Sequence, residues 1–344
     1  MPAVKYHQTR YMEDHAMTVN EFHRYIDESK GNESNICQIC AVKDGETVYD
    51  DSWRGFEPDS AVNVNSVTKG VMAVLAGIAA DKGLIDPEQR VLGFFPGYEV
   101  KRGEKTIYDV TLKHLLTMTA PYKFCFDPWK KVCTSDDWTK AALDLLGGRK
   151  GITGRFKYST LGIQILSGII ENASGMRCID FANRFLFAPL GIPEHELHKD
   201  GSKEDQYEYF MSREPKKNEW YSDPKGVVTA GWGLAISARD MAKIGQMLLN
   251  DGIYGGERVL SKEWITQMTY PMQHLGKKFG ELYYGYLWYK PEKDGPVYAA
   301  IGDSGNIIYV NTEKKISVGV TGTFKPRIYD RIEFIESRVL PLTE

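Results

Sequence analysis

The sequence predicts an α+β fold in which both ends of the chain contribute strands to one antiparallel sheet. Six short runs rich in β-branched and aromatic residues predict strands at 35–43, 46–54, 283–289, 297–301, 307–311 and 316–321. Between these two groups the apolar residues recur at helical spacing, with frequent Gly and Pro. Because a sheet has to bury at least one face, we expect terminal helices to flank it and the middle of the chain to form a mostly helical lobe.

The helices predicted at the two chain ends indicate how the chain divides into two lobes. The run 18–29 and the segment from Ile328 to Val339 both place apolar residues on one side of a helix. We therefore assign residues 1–60 and 275–344 to an α/β sheet lobe and residues 61–274 to a mainly helical lobe. A cleft between two lobes is a favoured place for an active site.

Composition excludes several classes of protein. The 344 residues are 42% apolar and 26% charged, which is ordinary for a soluble globular protein. A net charge of -3 gives no sign of a nucleic-acid partner or an anionic membrane target. The first ten residues lack the apolar core of a secretory signal, so we expect a cytoplasmic protein. A secreted protein trimmed of its signal would have the same composition.

Five cysteines, an odd number, fit a reducing compartment better than a disulfide scaffold. Cys37 and Cys40 have the spacing of a redox pair, but within a strand they would point to opposite faces. No second cysteine pair or His-x-x-x-His completes a zinc site. We therefore expect these side chains to pack in the core, and we expect no metal and no cofactor.

The most informative stretch opens the first long helix of the middle section. Val67, Val71, Val74, Leu75 and Ile78 form one apolar stripe. Asn63 or Asn65 is a suitable N-cap, and Gly83 a suitable end. On this helix Ser66 and Lys69 are three residues apart, so their side chains lie on one face within hydrogen-bond reach.

A serine hydroxyl becomes a good nucleophile only when a neighbouring group accepts its proton, and a lysine amine can do so when its environment disfavours the ammonium. The spacing alone is weak evidence, because Ser222 and Lys225 have it too. There Pro224 argues against a helix interior. The alternative for Ser66 is a polar first turn on a core helix.

Helical spacing predicts further helices at 111–117, 141–146, 161–173, 237–250 and 260–269. Ser237 with Asp240 resembles a capping box. His114 has apolar neighbours and no acid close in sequence, so we expect a structural histidine. The polar section 196–226 is typical of a surface excursion or lid. Its aromatic residues, such as Trp220, either line a pocket or hold the segment down.

Together with the predicted order of strands and helices, three motifs resemble those of the penicillin-recognising serine hydrolases. This family comprises class C β-lactamases, DD-peptidases and esterases built on the same fold. The motifs are Ser66-Val67-Thr68-Lys69, Leu115-Leu116-Thr117-Met118-Thr119 and the segment from Gly233 to Ala242. The resemblance extends from about residue 18 to residue 340 and implies a β-lactamase/transpeptidase-like fold.

Three elements carry the chemistry of that family, and this chain matches them unequally. Ser66 and Lys69 match its Ser-x-x-Lys motif fully. Its Tyr-x-Asn motif corresponds to Tyr158-Ser159-Thr160, which keeps the tyrosine and loses the asparagine. Its Lys/His-Thr/Ser-Gly motif corresponds to Asp303-Ser304-Gly305, in which an acid replaces the base.

The resemblance implies a serine hydrolase that forms an acyl-enzyme. Ser66 would be the nucleophile, Lys69 its proton acceptor, and Tyr158 the group that passes a proton to the leaving group. The backbone N–H groups of Ser66 and Asn306 would form the oxyanion hole. Thr160, Asp303, Ser304 and Gly305 would line the substrate site.

Asp303 bears on the choice of substrate. In β-lactamases and DD-peptidases the base of the third motif helps to hold a substrate carboxylate, which an aspartate would repel. Thr160 also replaces a carboxamide that helps to position the substrate's amide side chain. We therefore expect a small neutral or cationic ester or amide as substrate, with weak or no β-lactamase activity. Alternatively, Asp303 points away from the cleft and has no effect on selectivity.

Other functions are compatible with the same sequence. One is a true class C β-lactamase or a DD-peptidase, and another is a non-catalytic relative that binds a ligand. A trypsin-like reading of Gly302-Asp303-Ser304-Gly305 fails, because Asn306 follows where that family has glycine and no Ala-Ala-His-Cys segment occurs. No Gly-x-Ser-x-Gly elbow is present either. The expected partner is a small-molecule substrate, and the sequence makes no prediction of oligomeric state.

Overall fold

The computed structural model describes residues 17–199, 202–328 and 330–344. Its strands are β1 (Ile36–Lys43), β2 (Glu46–Ser52), β3 (Val62–Asn63), β4 (Glu196–His198), β5 (Glu219–Tyr221), β6 (Ala235–Ile236), β7 (Ile253–Tyr254), β8 (Glu257–Arg258), β9 (Gln273–His274), β10 (Tyr283–Tyr284), β11 (Tyr289–Lys290), β12 (Val297–Gly302), β13 (Asn306–Asn311) and β14 (Ile316–Gly322). Its α-helices are α1 (Val19–Glu28), α2 (Val67–Asp81), α3 (Leu112–Leu116), α4 (Trp129–Cys133), α5 (Trp138–Leu145), α6 (Ile165–Ser174), α7 (Cys178–Ala182), α8 (Lys203–Met211), α9 (Ala238–Leu249), α10 (Lys262–Thr269) and α11 (Ile332–Phe334).

Strands from both ends of the chain form one antiparallel sheet, as the sequence predicts. The strand order is β2-β1-β14-β13-β12-β11-β10-β9. Strand β1 pairs with β14 over almost its whole length, so that Ala41 lies opposite Val318 and Lys43 opposite Ile316. The α+β prediction is therefore confirmed.

The two faces of the sheet are covered by different helices. Phe22 and Ile26 of α1 pack with Ile335 and Val339 near the end of the chain on one face, and all four are fully buried. Alternate residues of the same strands face α9 on the other side, where Cys40 and Val42 contact Ala238 and Ala242. The predicted flanking by terminal helices is confirmed.

Glycines let α9 approach the sheet closely. A Cβ at Gly319 of β14 would lie 2.2 Å from the carbonyl oxygen of Ala238, and one at Gly245 of α9 would lie 2.0 Å from Ser317 Oγ. No side chain fits in either place. Helix α9 therefore rests directly on the backbone of the sheet, although its sequence lies within the predicted helical lobe. The division into two lobes stays a prediction.

Helix α2 lies at the centre of the largest apolar core and is buried on all sides from Val67 to Ala79. Its Gly70 faces the sheet, where a Cβ would lie 2.5 Å from that of Ala300. Trp288 Nε1 donates a hydrogen bond of 3.1 Å to Gly70 O. Neither Asn63 nor Asn65 caps this helix, because Ser66 is the residue immediately before it.

The structure differs from the predicted strands and helices at the carboxyl-terminal end. The run 283–289 is two strands, because Leu287 adopts a left-handed conformation with φ of 60° and Gly285 N donates to Trp288 O, which closes a tight turn. The final helix begins at Ile332 rather than at Ile328 and continues as a π-helical turn, Ile335–Val339. The spacing of apolar residues gives little indication of such local turns.

The polar section 196–226 has secondary structure of its own. Strand β4 pairs in parallel with β5, and α8 lies between them in sequence. Tyr209, Trp220 and Tyr221 are buried, so the aromatic residues hold this section against the protein. Met211 is 37% exposed. Of the two roles considered for these aromatic residues, anchoring is the one observed.

A histidine between two acids ties this section together. His198 Nδ1 lies 3.1 Å from Glu219 Oε2, and its Nε2 lies 3.0 Å from Asp205 Oδ1. Tyr221 donates a hydrogen bond of 2.6 Å to Asp205 Oδ2. Burial disfavours the imidazolium, but the bonds to Asp205 and Glu219 outweigh it and raise the pKa of His198 above its ordinary value.

The sequence predicts structural roles for His114, Cys37 and Cys40. His114 Nδ1 accepts a hydrogen bond of 3.0 Å from Thr111 N at the start of α3, which is a structural role. All five cysteines are free, and burial raises the pKa of Cys37 and Cys40 to about 12, so that both stay protonated at neutral pH. Within the described residues, no helix is both long and apolar enough to cross a membrane.

We predict that Gly319→Ala destabilises the protein by about 1 to 3 kcal/mol, because the added methyl group would push α9 away from β14. Urea unfolding at equilibrium measures this change. The control is Gly97→Ala, since no atom lies within 4 Å of a Cβ at Gly97. Equal stability of the two variants would contradict the tight contact between α9 and the sheet.

We also predict a pH dependence of stability that comes from His198. Because its pKa is raised on folding, its contribution is fully present below about pH 6.5. The contribution is lost as the pH rises through the higher pKa of the folded state. The unfolding midpoint in urea should therefore fall over this range in the wild type, and less so in His198→Gln. The control is His274→Gln, which removes an exposed histidine on β9. An unchanged slope in His198→Gln would refute the prediction.

Candidate active site

Ser66 lies at the junction of β3, α2 and the sheet. It directly precedes α2, and Asn65 before it has a φ of 51°, in the left-handed region. Asn65 Nδ2 donates a hydrogen bond of 3.1 Å to Asp303 O, and Thr68 Oγ1 donates one of 2.7 Å to Asn65 O. These bonds fix the turn that presents the Ser66 hydroxyl at the start of a buried helix.

Lys69 lies one turn further along α2 and is only 2% exposed. Its Nζ donates hydrogen bonds of 2.8 Å to Ser66 Oγ and 2.6 Å to Gly231 O. Across the part of the chain that the structure describes, no carboxylate oxygen lies within 4 Å of this amine. The amine is therefore directed at the Ser66 hydroxyl by a backbone carbonyl rather than by an acid.

Tyr158 comes to the same hydroxyl from a distant part of the chain. Its OH lies 3.0 Å from Ser66 Oγ and is the donor in that hydrogen bond. Its ring centroid lies 4.9 Å from Lys69 Nζ. The structure thus brings Ser66, Lys69 and Tyr158 together, with one oxygen in contact with two potential proton carriers.

Asp127 holds the segment that carries Tyr158, and it was missed in the sequence. Its Oδ1 accepts a hydrogen bond of 2.7 Å from Ser159 Oγ. Its Oδ2 accepts bonds of 2.8 Å from Thr160 N and 3.1 Å from Leu161 N. A carboxylate placed against backbone N–H groups where a helical segment begins is a strong local restraint. Three bonds to consecutive residues fix the direction of Tyr158.

The third motif forms the turn between β12 and β13, next to Ser66. A Cβ at Gly302 would lie 3.0 Å from Ser66 N and 2.4 Å from Val64 O, so only glycine allows β12 to come this close. Asp303 follows immediately and is exposed, while its carbonyl oxygen accepts the bond from Asn65.

The side chains after Asp303 have partners within the protein. Ser304 Oγ accepts a hydrogen bond of 2.9 Å from Lys325 N, and Ser304 O accepts one of 2.9 Å from Asn35 Nδ2. Gly305 packs against the Arg331 side chain, where a Cβ would lie 2.4 Å from Nε. The substrate-binding roles of Thr160, Ser304 and Gly305 stay predictions.

Asn306 pairs with Gly302 across this hairpin. Its side chain is fully used, because Nδ2 donates to Asp303 O at 2.8 Å and Oδ1 accepts from Gly322 N at 2.9 Å. These bonds stiffen the turn between β12 and β13. The role of the Asn306 backbone N–H in an oxyanion hole stays a prediction.

Two further tyrosines lie near Tyr158 and were not singled out in the sequence. The rings of Tyr284 and Tyr289 are 4.7 Å apart and meet edge to face. Burial, followed by the neighbouring Tyr158, raises the pKa of both side chains, so both stay neutral. Tyr284 OH is buried with no hydrogen-bond partner among the described residues. An aromatic run such as 283–289 does not indicate which of its rings faces a site.

Metal-binding potential is limited in the described ranges, which contain no group of three or more His, Cys, Asp or Glu residues able to hold an ion. The groups predicted to act at the site are a hydroxyl, an amine, a phenol and backbone donors. Such a set is sufficient for acyl transfer to a serine.

Comparison with known proteins gives both relatives and structures. The chain is 27% identical over 229 residues to the 6-aminohexanoate-dimer hydrolase of Paenarthrobacter ureafaciens. The match covers 62% of this chain and 52% of that protein. The chain spans only 40% to 56% of the length of the curated relatives that it matches.

Two solved structures are similar over most of the chain. A penicillin-binding protein homologue from Pyrococcus abyssi, described as octameric, has a TM-score of 0.65 at 22% identity, covering 90% of this chain and 74% of that one. A family VIII carboxylesterase has a TM-score of 0.63 at 19% identity and covers 94% of each chain. At these identities the likeness establishes the fold alone.

The sequence model described as Beta-lactamase matches residues 37–332. This range begins in the first strand of the sheet, includes Ser66, Tyr158 and Asp303, and ends in the last helix. Since it covers most of the chain, the protein belongs to the Beta-lactamase family.

Proposed function

We propose that this protein is a serine hydrolase that forms an acyl-enzyme on Ser66. The observation that carries the proposal is the contact of Ser66 Oγ with Lys69 Nζ at 2.8 Å and with Tyr158 OH at 3.0 Å. Proton carriers at hydrogen-bond distance are what a weakly nucleophilic hydroxyl needs. A polar first turn on a core helix would not require a buried amine at this position.

In the acylation step Ser66 Oγ attacks the carbonyl carbon of the substrate, and its proton passes to Lys69 Nζ. Gly231 O accepts a hydrogen bond from the resulting ammonium. The proton then moves through Tyr158 to the leaving group as the bond to that group breaks. Attack by water on the Ser66 ester, with the same groups moving protons, releases the acid and restores the enzyme.

Negative charge that develops on the carbonyl oxygen requires N–H donors. Ser66 N–H lies at the amino-terminal end of α2, where the helix dipole favours negative charge. We propose Asn306 N–H as the second donor. The hairpin that carries it is held against Ser66 at Gly302, which supports this pairing.

We propose small neutral or cationic esters or amides as substrates. Asp303 is exposed on the turn beside Ser66, where its charge disfavours a carboxylate close to the scissile bond. One relative is named a 6-aminohexanoate-dimer hydrolase and one similar structure a carboxylesterase, which supports hydrolysis of amides or esters outside the β-lactams.

We predict that a fluorophosphonate forms one covalent adduct with the wild type and none with Ser66→Ala, measured by intact-mass spectrometry. Hydrolysis of p-nitrophenyl acetate should fall by roughly 10⁴-fold or more in Ser66→Ala. In Lys69→Met it should fall by roughly 10² to 10⁴-fold. The matched control is Ser222→Ala, since Ser222 and Lys225 have the same spacing outside a helix.

The outcomes of this labelling experiment separate the alternatives. An adduct that persists in Ser66→Ala would overturn the assignment of the nucleophile. A folded wild type that forms no adduct would favour a non-catalytic protein that binds a ligand.

We predict that Asp303→His raises the turnover of an anionic chromogenic cephalosporin relative to p-nitrophenyl acetate by about tenfold, because repulsion is replaced by attraction. The ratio of the two kcat/KM values measures this change. Asp27→His on the exposed side of α1 is the control for charge. An equal gain in both variants, or no gain, would show that Asp303 does not select the substrate.

A further inference from the structure

A basic cavity adjoins the turn formed by Asp303, Ser304 and Gly305. Its volume is about 460 Å³, and its lining includes Asn35, Arg54, Arg213, Glu214 and Lys325. Three of these side chains are cationic and one is anionic, in a protein whose net charge is -3. The cavity therefore concentrates positive charge on an otherwise acidic molecule.

The cations in this cavity are not neutralised by acids. Arg54 donates to Ser34 O at 2.6 Å and to Ile26 O at 2.9 Å, and Lys325 donates to Gly31 O and Ser34 Oγ. Neutral oxygens satisfy N–H donors but leave the charge uncompensated. Within the described residues none of Arg54, Arg213 and Lys325 forms an ion pair.

A fourth cation lies beneath the cavity. Arg331 is 3% exposed and donates to Asn35 Oδ1 at 2.8 Å and to Asn32 O at 3.0 Å. Burial lowers its pKa to about 10, which still leaves it charged at neutral pH. Its Nε is buried with no partner among the described residues. The nearby carboxylates of Glu33 and Asp330 favour its charge, so an anion in the cavity would chiefly relieve the mutual repulsion of the three lining cations.

The cavity is joined to the proposed active site by the β12–β13 turn. Two lining residues hold this turn, since Asn35 Nδ2 donates to Ser304 O and Lys325 N donates to Ser304 Oγ. Gly302, two residues earlier, contacts the backbone of Ser66. Consecutive Cα atoms are about 3.8 Å apart, so the cavity lies within roughly 15 Å of Ser66.

We propose that this cavity binds a carboxylate at the far end of the substrate's acyl chain. The inference rests on the proposed acyl-enzyme function. It widens the proposed substrate class, because it adds acids whose carboxylate is distant from the scissile bond to the neutral and cationic esters and amides. A carboxylate next to the scissile bond, as in a β-lactam, would meet the exposed Asp303. One several carbons away would extend beyond the turn, on whose other side Arg213 lines the cavity with Asn35 and Lys325. The planar guanidinium groups of Arg54 and Arg213 suit a carboxylate, which accepts two parallel hydrogen bonds from such a group.

The test compares two esters that differ only in the distal group: the p-nitrophenyl monoester of suberic acid and its methyl-capped form. Wild type should have a higher kcat/KM for the monoester.

Arg213→Gln should lower the ratio of the two values by about threefold to tenfold through KM, with kcat unchanged. Arg213 is exposed, so this variant keeps the buried contacts. Lys325→Gln should act in the same direction. The matched control is the exposed Arg102→Gln, which removes one positive charge elsewhere.

The outcomes separate this inference from the proposed function. If wild type hydrolyses both esters and Arg213→Gln leaves their ratio unchanged, or changes it no more than Arg102→Gln, the carboxylate site is wrong and the hydrolase stands. If free suberate inhibits the methyl-capped ester without competing with it, the cavity binds a free anion rather than the substrate, which also overturns the inference. If neither ester reacts and no fluorophosphonate adduct forms, the proposed function itself fails.

Discussion

The contact on which the site depends is the close approach of β12 to the start of α2 at Gly302. Any side chain there would collide with the backbone of Val64 and Ser66. The approach lets Asn65 reach Asp303 O, and Gly70 meets Ala300 on the same strand one turn later. A sheet made from both chain ends and a helix from the middle are joined along this line. The geometry of Ser66 is therefore a property of the core and not of a surface loop.

Around that contact, Lys69 and Tyr158 form hydrogen bonds with Ser66 Oγ, and Gly231 O accepts one from Lys69 Nζ. Lys69 comes from α2 itself, Tyr158 from a segment fixed by Asp127, and the orienting carbonyl from Gly231. These contacts are 2.6 to 3.0 Å long, which leaves little freedom for the Ser66 hydroxyl. Catalytic groups held in this way avoid the cost of being ordered during a reaction. The neutral tyrosines beside Tyr158 keep its surroundings free of added negative charge.

Sequence patterns were sufficient for most of the sheet and for the pair formed by Ser66 and Lys69, because both rest on local periodicity. Apolar spacing located the helix from Val67 onward, and its first turn put Ser66 beside Lys69. Asp127 was missed because it acts through space on residues 32 to 34 positions later, which no periodicity encodes. Gly231 was missed because it contributes only a backbone carbonyl. The two strands within 283–289 were merged, since one left-handed residue at Leu287 makes the turn.

The pairing of β1 with β14 has a consequence for how the protein is made. Residue 36 pairs with residue 322, and the strand carrying Gly302 is synthesised more than 200 residues after α2, which ends at Asp81 while β12 begins at Val297. Until then α2 has no sheet to cover its apolar surface, because β12, β13 and β14 do not yet exist. A ribosome-bound chain would therefore leave the sheet-facing side of this helix uncovered while those residues are made, a state that is prone to aggregation and suited to chaperone binding. Ser66 would gain its contacts with β12 only after that strand is made.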